Sequence, residues 1–409
     1  MGVAQLVDDY AADLSRFVDR QMGDSSPSAS GSLTEDDSGF NELALGLFRL
    51  QFENVAPYRR LCASLERGPE RVAHWTEIPA APTSGFKELA FTSLSDAERQ
   101  VVFHSSGTTE QRPSRHFHSA ASLALYEGTL WPWFRAHLLA DREDTGEAVV
   151  RDDLRFLFLT PPSDRAPHSS LVHMFETVRR RCGGRESAFL GEVDAHGAWI
   201  LSWDRAWQAL EESAGGAHRL VLLGAAFSFV QLLDQLAERN LSFALPSGSR
   251  VMETGGYKGR SRVLARAELH GLITERLGLP ASHIVCEYGM SELSSQAYDR
   301  AIPGGGGPRA RGKGRPRRGQ EAGATRDRAP VERRFQFPPW ARVRVVSPET
   351  GQEVAEGERG LLRVVDLANM RSVLAVQTED LGVRRGAGFE LVGRSARAEP
   401  RGCSLMAAS

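Results

Sequence analysis

Leu220-Val221-Leu222-Leu223-Gly224 reads as a short strand buried on both faces, and the residues after it read as a helix. Phe229, Leu232, Leu233 and Leu236 recur at helical spacing, so the chain passes from strand to amphipathic helix at Gly224. Leu154 to Leu159 is an earlier apolar β run, ended by Pro161-Pro162. Val251-Met252-Glu253-Thr254 runs into Gly255-Gly256-Tyr257-Lys258-Gly259-Arg260, and Ile284-Val285-Cys286-Glu287 runs into Tyr288-Gly289-Met290-Ser291-Glu292. Strand, turn and helix in alternation predict an α/β chain with a parallel sheet. In such sheets ligands sit where loops leave the carboxyl ends of the strands.

Outward from that centre, Val3 to Met22 carries Leu6, Val7, Tyr10, Leu14, Phe17 and Val18 at helical spacing and predicts a first amphipathic helix. Gly23 to Ser38 is Ser/Asp/Gly-rich and reads as a loop. A second helix is predicted from about Phe40 to Glu53, stopping before Pro57-Tyr58. Ile78 to Thr83 is a Pro-punctuated extended connector closed by Phe86-Lys87, and Ser119 to Leu139 is helical again. Ala301 to Arg334 changes character: four glycines lead into Arg309, Arg311, Lys313, Arg315, Arg317 and Arg318 with almost no large apolar residue, the composition of a flexible insertion. After Phe335 short runs (Val343 to Val346, Leu361 to Val365, Val373 to Val376) predict a β-rich subdomain. The domain reading is therefore an α/β core with N-terminal helices over 1–300, an insertion over 301–334, the β-rich subdomain over 335–394 and a tail over 395–409.

The chain has 409 residues, a net charge of −2 and hydrophobic and charged fractions of 41% and 25%. That balance fits a globular protein and argues against a surface built to grip nucleic acid. Residues Met1 to Arg20 carry acids and no unbroken apolar core, so they do not read as a signal peptide. The longest apolar run, Leu220 to Leu233, is interrupted by Gly224, Ser228 and Gln231 and is too short to span a bilayer. Cys62, Cys182, Cys286 and Cys403 show neither metal spacing nor a disulfide framework, so a reduced, cytoplasmic setting is the expectation.

The chemistry concentrates first in Ser105-Ser106-Gly107-Thr108-Thr109, entered by the apolar Val101-Val102-Phe103. Its hydroxyls and inward-pointing N–H groups suit phosphate oxygens, and Gly107 permits the positive φ that such nests use. The spacing is not that of a Walker P-loop. A hydroxyl-rich surface turn has the same composition, so this stretch decides nothing alone. His116 and His118, two apart, would share a strand face, but no third metal ligand stands near them.

The hydroxyl loop, Tyr288-Gly289-Met290-Ser291-Glu292, Thr378-Glu379-Asp380-Leu381-Gly382 and Gly393-Arg394 occur in the order of the spaced signatures of adenylate-forming enzymes. With Phe86-Lys87, Gly255-Gly256-Tyr257-Lys258 and Arg401-Gly402-Cys403-Ser404-Leu405, they resemble the acyl-protein synthetases of bacterial bioluminescence (LuxE-type), which are related to phenylacetate–CoA ligase. The resemblance covers the chain from about Phe40 onward, except the Arg-rich insertion.

The resemblance implies an adenylate-forming large domain, with a short C-terminal tail in place of a full C-terminal domain. It also implies ATP and Mg²⁺ as cofactors and a carboxylic acid, in this family a fatty acid, as substrate. Ser105, Ser106, Gly107, Thr108 and Thr109 would hold the β- and γ-phosphates. Gly255, Gly256, Tyr288, Gly289 and Ser291 would line the nucleotide site. Glu292 would hold Mg²⁺, Asp380 the ribose hydroxyls, and Arg394 ribose or phosphate. Lys87 would meet a phosphate or carboxylate, and Cys403 would carry the acyl group before its transfer to a partner such as an acyl reductase. Glu110 stands where the family loop has glycine, and Glu379 where the wider superfamily has glycine. An acid–CoA or small-thiol ligase and a non-catalytic nucleotide-binding relative share the same motifs; no nucleic-acid partner is expected.

Overall fold

The computed structural model describes residues 3–23, 33–105, 112–141, 154–182, 187–216, 218–257, 261–303 and 333–395. Helices α1 (Val3–Gly23), α2 (Leu33–Asn54) and α3 (Ala56–Ser64) open the chain. The two-residue strand β1 (Ala81–Pro82) and the single turn α4 (Gly85–Glu88) lead to a hairpin of β2 (Val101–His104) and β3 (Arg115–His118). From α5 (Ala120–Leu138) the chain alternates through β4 (Leu154–Phe158), α6 (Ser170–Cys182) and β5 (Ala188–Phe189). A small hairpin, β6 (Gly191–Val193) and β7 (Trp199–Leu201), precedes α7 (Trp203–Ala214). Then come β8 (Arg219–Ala225), α8 (Ala226–Glu238), β9 (Arg250–Thr254), α9 (Arg266–Leu277), β10 (Ile284–Tyr288) and β11 (Ala297–Tyr298). The antiparallel strands β12 (Ala341–Val346), β13 (Arg359–Asp366), β14 (Ala375–Arg385) and β15 (Gly388–Arg394) follow.

The central sheet has the order β11-β10-β9-β8-β4-β5, parallel except for β11. Its strands are apolar on both faces because both faces are covered. Leu157, Leu220, Leu222, Val251 and Ile284 pack with α7, α8 and α9. Phe156, Phe158, Val221, Leu223, Met252 and Val285 pack with α5 and α6. The chain leaves β4 towards β5 on one side and later returns to β8 on the other, so its winding direction reverses between β4 and β8. The carboxyl ends of β8, β9 and β10 open beside that reversal, which is where ligands bind in doubly wound sheets.

The second sheet, β1-β14-β13-β12 with β15 on β14, shares one core with α1, α2 and α3. Tyr10 of α1 donates to the Leu367 carbonyl at 2.9 Å, and Gln51 of α2 donates to the Asn369 carbonyl at 2.7 Å and accepts from Leu374 N at 2.8 Å. Proline suits β1 because Pro82 lies at the end of a two-residue edge strand.

One expectation is corrected here. The second helix begins at Leu33, inside the stretch read as a loop to Ser38. Asp37 accepts from Trp75 Nε1 at 3.3 Å, a tertiary contact that holds the start of this helix and that the Ser and Gly content does not reveal. Thr378 to Gly382 forms the middle of β14. Among the described residues, no helix is long and apolar enough to cross a membrane.

Candidate active site

A cavity opens at the carboxyl ends of β9 and β10, between Thr254, Gly255 and Gly256 on one side and Glu287, Tyr288 and Gly289 on the other. Glycine is needed on both sides. Gly256 has φ +132°, a backbone conformation that side chains rarely adopt. A Cβ on Gly289 would collide with the Glu287 carboxyl. Tyr257 leaves the glycine turn inward and anchors it, donating to the Leu264 carbonyl at 2.8 Å.

Tyr288 borders this cavity and joins the two sheets. Its hydroxyl donates to Asp380 Oδ2 at 2.8 Å, while its ring meets Phe335, Phe337 and Phe389 edge to face. Burial, and then the Asp380 carboxylate, push its phenol well above the ordinary tyrosine value, so it stays a donor. Asp380 and Arg394 are direct partners across β14 and β15, and Arg394 Nε donates to Asp380 Oδ1 at 3.1 Å. Arg394 Nη2 also donates to Glu379 Oε2 at 3.1 Å. Glu379 therefore faces an arginine, which gives a carboxylate a reason to stand where the superfamily has glycine. Asp380 Oδ1 thus accepts from Arg394 and Oδ2 from Tyr288, so donors from two different elements orient the carboxylate.

The second cluster lies one turn along the same loop. Glu292 is buried, with Oε1 accepting from Ser114 Oγ at 2.7 Å and Oε2 accepting from Ser291 Oγ at 3.1 Å. Ser114 is also the exit of the hydroxyl loop. Its N–H donates to Ser105 Oγ at 2.9 Å and its carbonyl accepts from Ser105 N at 3.2 Å, closing the neck of that loop. Arg112, beside the neck, reaches Glu88 of α4 at 3.4 Å, which brings the half-buried Lys87 to the same end of the hairpin. Of the predicted phosphate loop, Ser105 is placed in this way. Ser106, Gly107, Thr108 and Thr109 lie outside the described residues, as do Glu110, Lys258, Cys403 and 304–332.

His116 and His118 share the buried side of β3, and among the described residues no group of three His, Cys, Asp or Glu side chains could hold a metal. His116 Nδ1 instead meets the Ser291 carbonyl oxygen at 2.8 Å. Burial pulls the His116 ring down to about 4, so it is neutral at physiological pH. Glu292, a carboxylate bonded to two serine hydroxyls, offers the oxygen donors that a hard cation such as Mg²⁺ takes when phosphates complete its shell.

Several site groups are not read from sequence. Glu287 sits in a strand that scans as buried, and burial pushes its carboxyl up to about 7. Glu253 on β9 is buried beside His270, Nε2 to Oε1 at 3.1 Å, and Arg266 lines the same cavity. Charged residues inside apolar strands that end at a glycine turn are the signal that marks them. Cys62, Cys182 and Cys286 are buried, and burial raises all three thiols, Cys62 to about 11, so none is a ready nucleophile.

No protein-family profile matches the chain. It is 21% identical over 383 residues, 91% of its own length and 88% of the relative's, to the long-chain-fatty-acid–luciferin-component ligase of Vibrio harveyi. The enzyme of the same name from Aliivibrio fischeri is 31% identical over 201 residues, 46% of this chain and 45% of that one. A crystal structure of 2-hydroxyisobutyryl-CoA ligase with its adenylate and CoA superposes with TM-score 0.62 at 12% identity, over 89% of this chain and 69% of that one. The chain has the adenylate-forming fold and resembles the acyl-protein synthetases. Within that fold, the cavity at β9 and β10, the Tyr288–Asp380–Arg394 chain and the Ser114–Glu292 pair all gather at the strand ends facing the second sheet.

Proposed function

We propose that the chain is an ATP-dependent, AMP-forming acid ligase that activates a carboxylic acid and carries the acyl group as a thioester on Cys403. The observation that carries this reading is the convergence of Tyr288, Asp380 and Arg394 with Ser114 and Glu292 on one loop-and-strand cluster. The similarity along 91% of the chain to a fatty-acid ligase supports it, and favours a fatty acid as the substrate.

In the first step a carboxylate oxygen of the acid attacks the α-phosphorus of ATP, and the bond to pyrophosphate breaks. Positioning and charge stabilisation do most of this work. Ser105 to Thr109 hold the β- and γ-phosphates, with Lys87 at the same end of the hairpin for a phosphate or the carboxylate. Gly255 and Gly256 let the base approach the backbone, Tyr288 and Gly289 wall it on the other side, and Asp380 accepts from the ribose hydroxyls. Ser291 and Ser114 keep Glu292 oriented. Glu292 would hold Mg²⁺, which when bound neutralises phosphate charge.

In the second step the Cys403 thiolate attacks the acyl carbonyl carbon and AMP leaves, giving the thioester. Arg401 favours the thiolate. Extended chain from Arg394 to Cys403 reaches about 30 Å, enough to bring the tail to the strand ends. A partner protein, in the proposal an acyl reductase, then takes the acyl group. The four cysteines without a disulfide framework support a cytoplasmic setting.

The test is radiolabelled fatty acid with ATP, following pyrophosphate and protein-bound label, then hydroxylamine, which cleaves thioesters. Acid-dependent pyrophosphate release and hydroxylamine-labile label in the wild type, with release but no label in Cys403→Ser, is the expected result. No release with any acid in a panel overturns the ligase reading. Label persisting on Cys403→Ser, or appearing on added CoA instead of protein, overturns the cysteine step.

A further inference from the structure

Side chains alternate along β3 and the residue leading into it, so Ser114 and His116 point to one side and Arg115 and Phe117 to the other. Both members of the first pair are buried, and both reach the loop after β10. Ser114 Oγ donates to Glu292 Oε1 at 2.7 Å across 178 positions of sequence. His116 Nδ1 meets the Ser291 carbonyl at 2.8 Å, and because a carbonyl only accepts, that nitrogen carries the proton. Asn369 fixes the loop from the opposite sheet, its Nδ2 donating to the Glu292 carbonyl at 2.9 Å. The backbone of Glu292 is thus held by neighbours, and its carboxylate accepts from Ser291 Oγ beside it and from Ser114 Oγ, at the neck of the hydroxyl loop.

We propose that Ser114 is the positioning residue for Glu292: its hydroxyl sets the carboxylate for a divalent cation. This rests on the reading of Glu292 as the cation's ligand. A ligating carboxylate needs a partner that fixes its rotamer, and removing such partners lowers metal affinity by about 10–100-fold in metal sites generally. The mutual Ser105–Ser114 bonds run through the backbone of Ser114, so they persist when its hydroxyl is removed. Threonine retains the hydroxyl and alanine lacks it, which separates orientation from packing.

The experiment measures Mn²⁺ binding by electron paramagnetic resonance on the full chain with a non-hydrolysable ATP analogue, alongside analogue affinity in EDTA and thermal melting. Ser114→Ala is expected to weaken Mn²⁺ binding by about 10-fold or more. Its metal-free analogue affinity and melting temperature should stay at wild-type values, and Ser114→Thr should restore Mn²⁺ binding. Unchanged Mn²⁺ affinity in Ser114→Ala overturns the proposal. So does a loss that threonine does not rescue, or one matched by equal losses in metal-free affinity and melting. Glu292→Gln is the separate arm: wild-type Mn²⁺ affinity in that variant overturns the reading of Glu292 as ligand, and this proposal with it.

Discussion

Asp380 and Arg394 stand opposite each other on β14 and β15, and the carboxylate accepts from the guanidinium Nε at 3.1 Å while its other oxygen accepts from the Tyr288 hydroxyl at 2.8 Å. The register shifts just beyond this pair, between Leu381 and Gly382, so the carboxylate sits at an irregularity of the ladder facing the other sheet. Such irregularities re-aim side chains next to sites.

Replacing that carboxylate tests the ribose assignment. Asp380→Ala is expected to weaken ATP binding by about 1–3 kcal/mol, because hydrogen bonds to the ribose hydroxyls are lost. Arg394 keeps Glu379 as a partner, so the strand pair itself should survive. Calorimetry reads the result, and an unchanged ATP affinity removes Asp380 from the nucleotide site.

Glu287 gives a pH-dependent prediction. Burial raises its carboxyl to about 7, against an ordinary value near 4.5 in the unfolded chain. Below about pH 4.5 it is protonated in both states and neutral to stability. Between 4.5 and 7 the unfolded chain loses its proton first, so the native state loses stability as pH rises, on the order of 3 kcal/mol in all. Glu287→Gln removes this penalty, and its carbonyl oxygen can still accept from Thr254. Thermal melts should therefore show the variant gaining more over wild type at pH 8 than at pH 4.5; equal gains refute a raised native pKa.

The Arg-rich stretch should be dispensable. Both borders are pinned: Ile302 N donates to the His137 carbonyl at 2.8 Å, Arg333 pairs with Asp299 at 2.7 Å, and Phe335 N donates to the Phe389 carbonyl at 2.7 Å. Loop length adds little to the entropy of closure. A Gly/Ser linker replacing 304–332 should keep acid-dependent pyrophosphate release, and its abolition in a folded variant would contradict the prediction.

The parallel sheet was readable because Leu220 to Leu223 and Ile284 to Val285 are apolar at every position, as strands covered on both faces must be. β14 was harder to see. Thr378-Glu379-Asp380 is polar enough to scan as a loop, and it is tolerated in a strand because Tyr288, Arg394 and the Leu362 carbonyl supply partners from elsewhere. The motifs named Glu292, Tyr288 and Asp380, but not Ser114 or His116. Those two matter through bonds that span more than 170 positions, and a single sequence carries no mark of which distant residue a serine will meet. No helix is predicted from sequence at α6, α7 or α9, although α6 and α7 carry legible apolar stripes, Val172, Phe175 and Val178 in one and Ala206, Ala209 and Leu210 in the other.

The core that α1, α2 and α3 share with β12 to β15 has a consequence for how the protein is made. The first fifty residues leave the ribosome with Leu14, Phe17, Phe40, Leu47 and Phe48 directed at a surface that does not yet exist. The central sheet can close on its own helices while synthesis continues, but the opening helices must wait for Trp340, Val364, Leu374 and Phe389. Translation arrested before β12 should leave chains in which protease cuts α1 and α2 freely while β8 to β10 resist. Such chains should be held by a nascent-chain chaperone until β12 to β15 emerge.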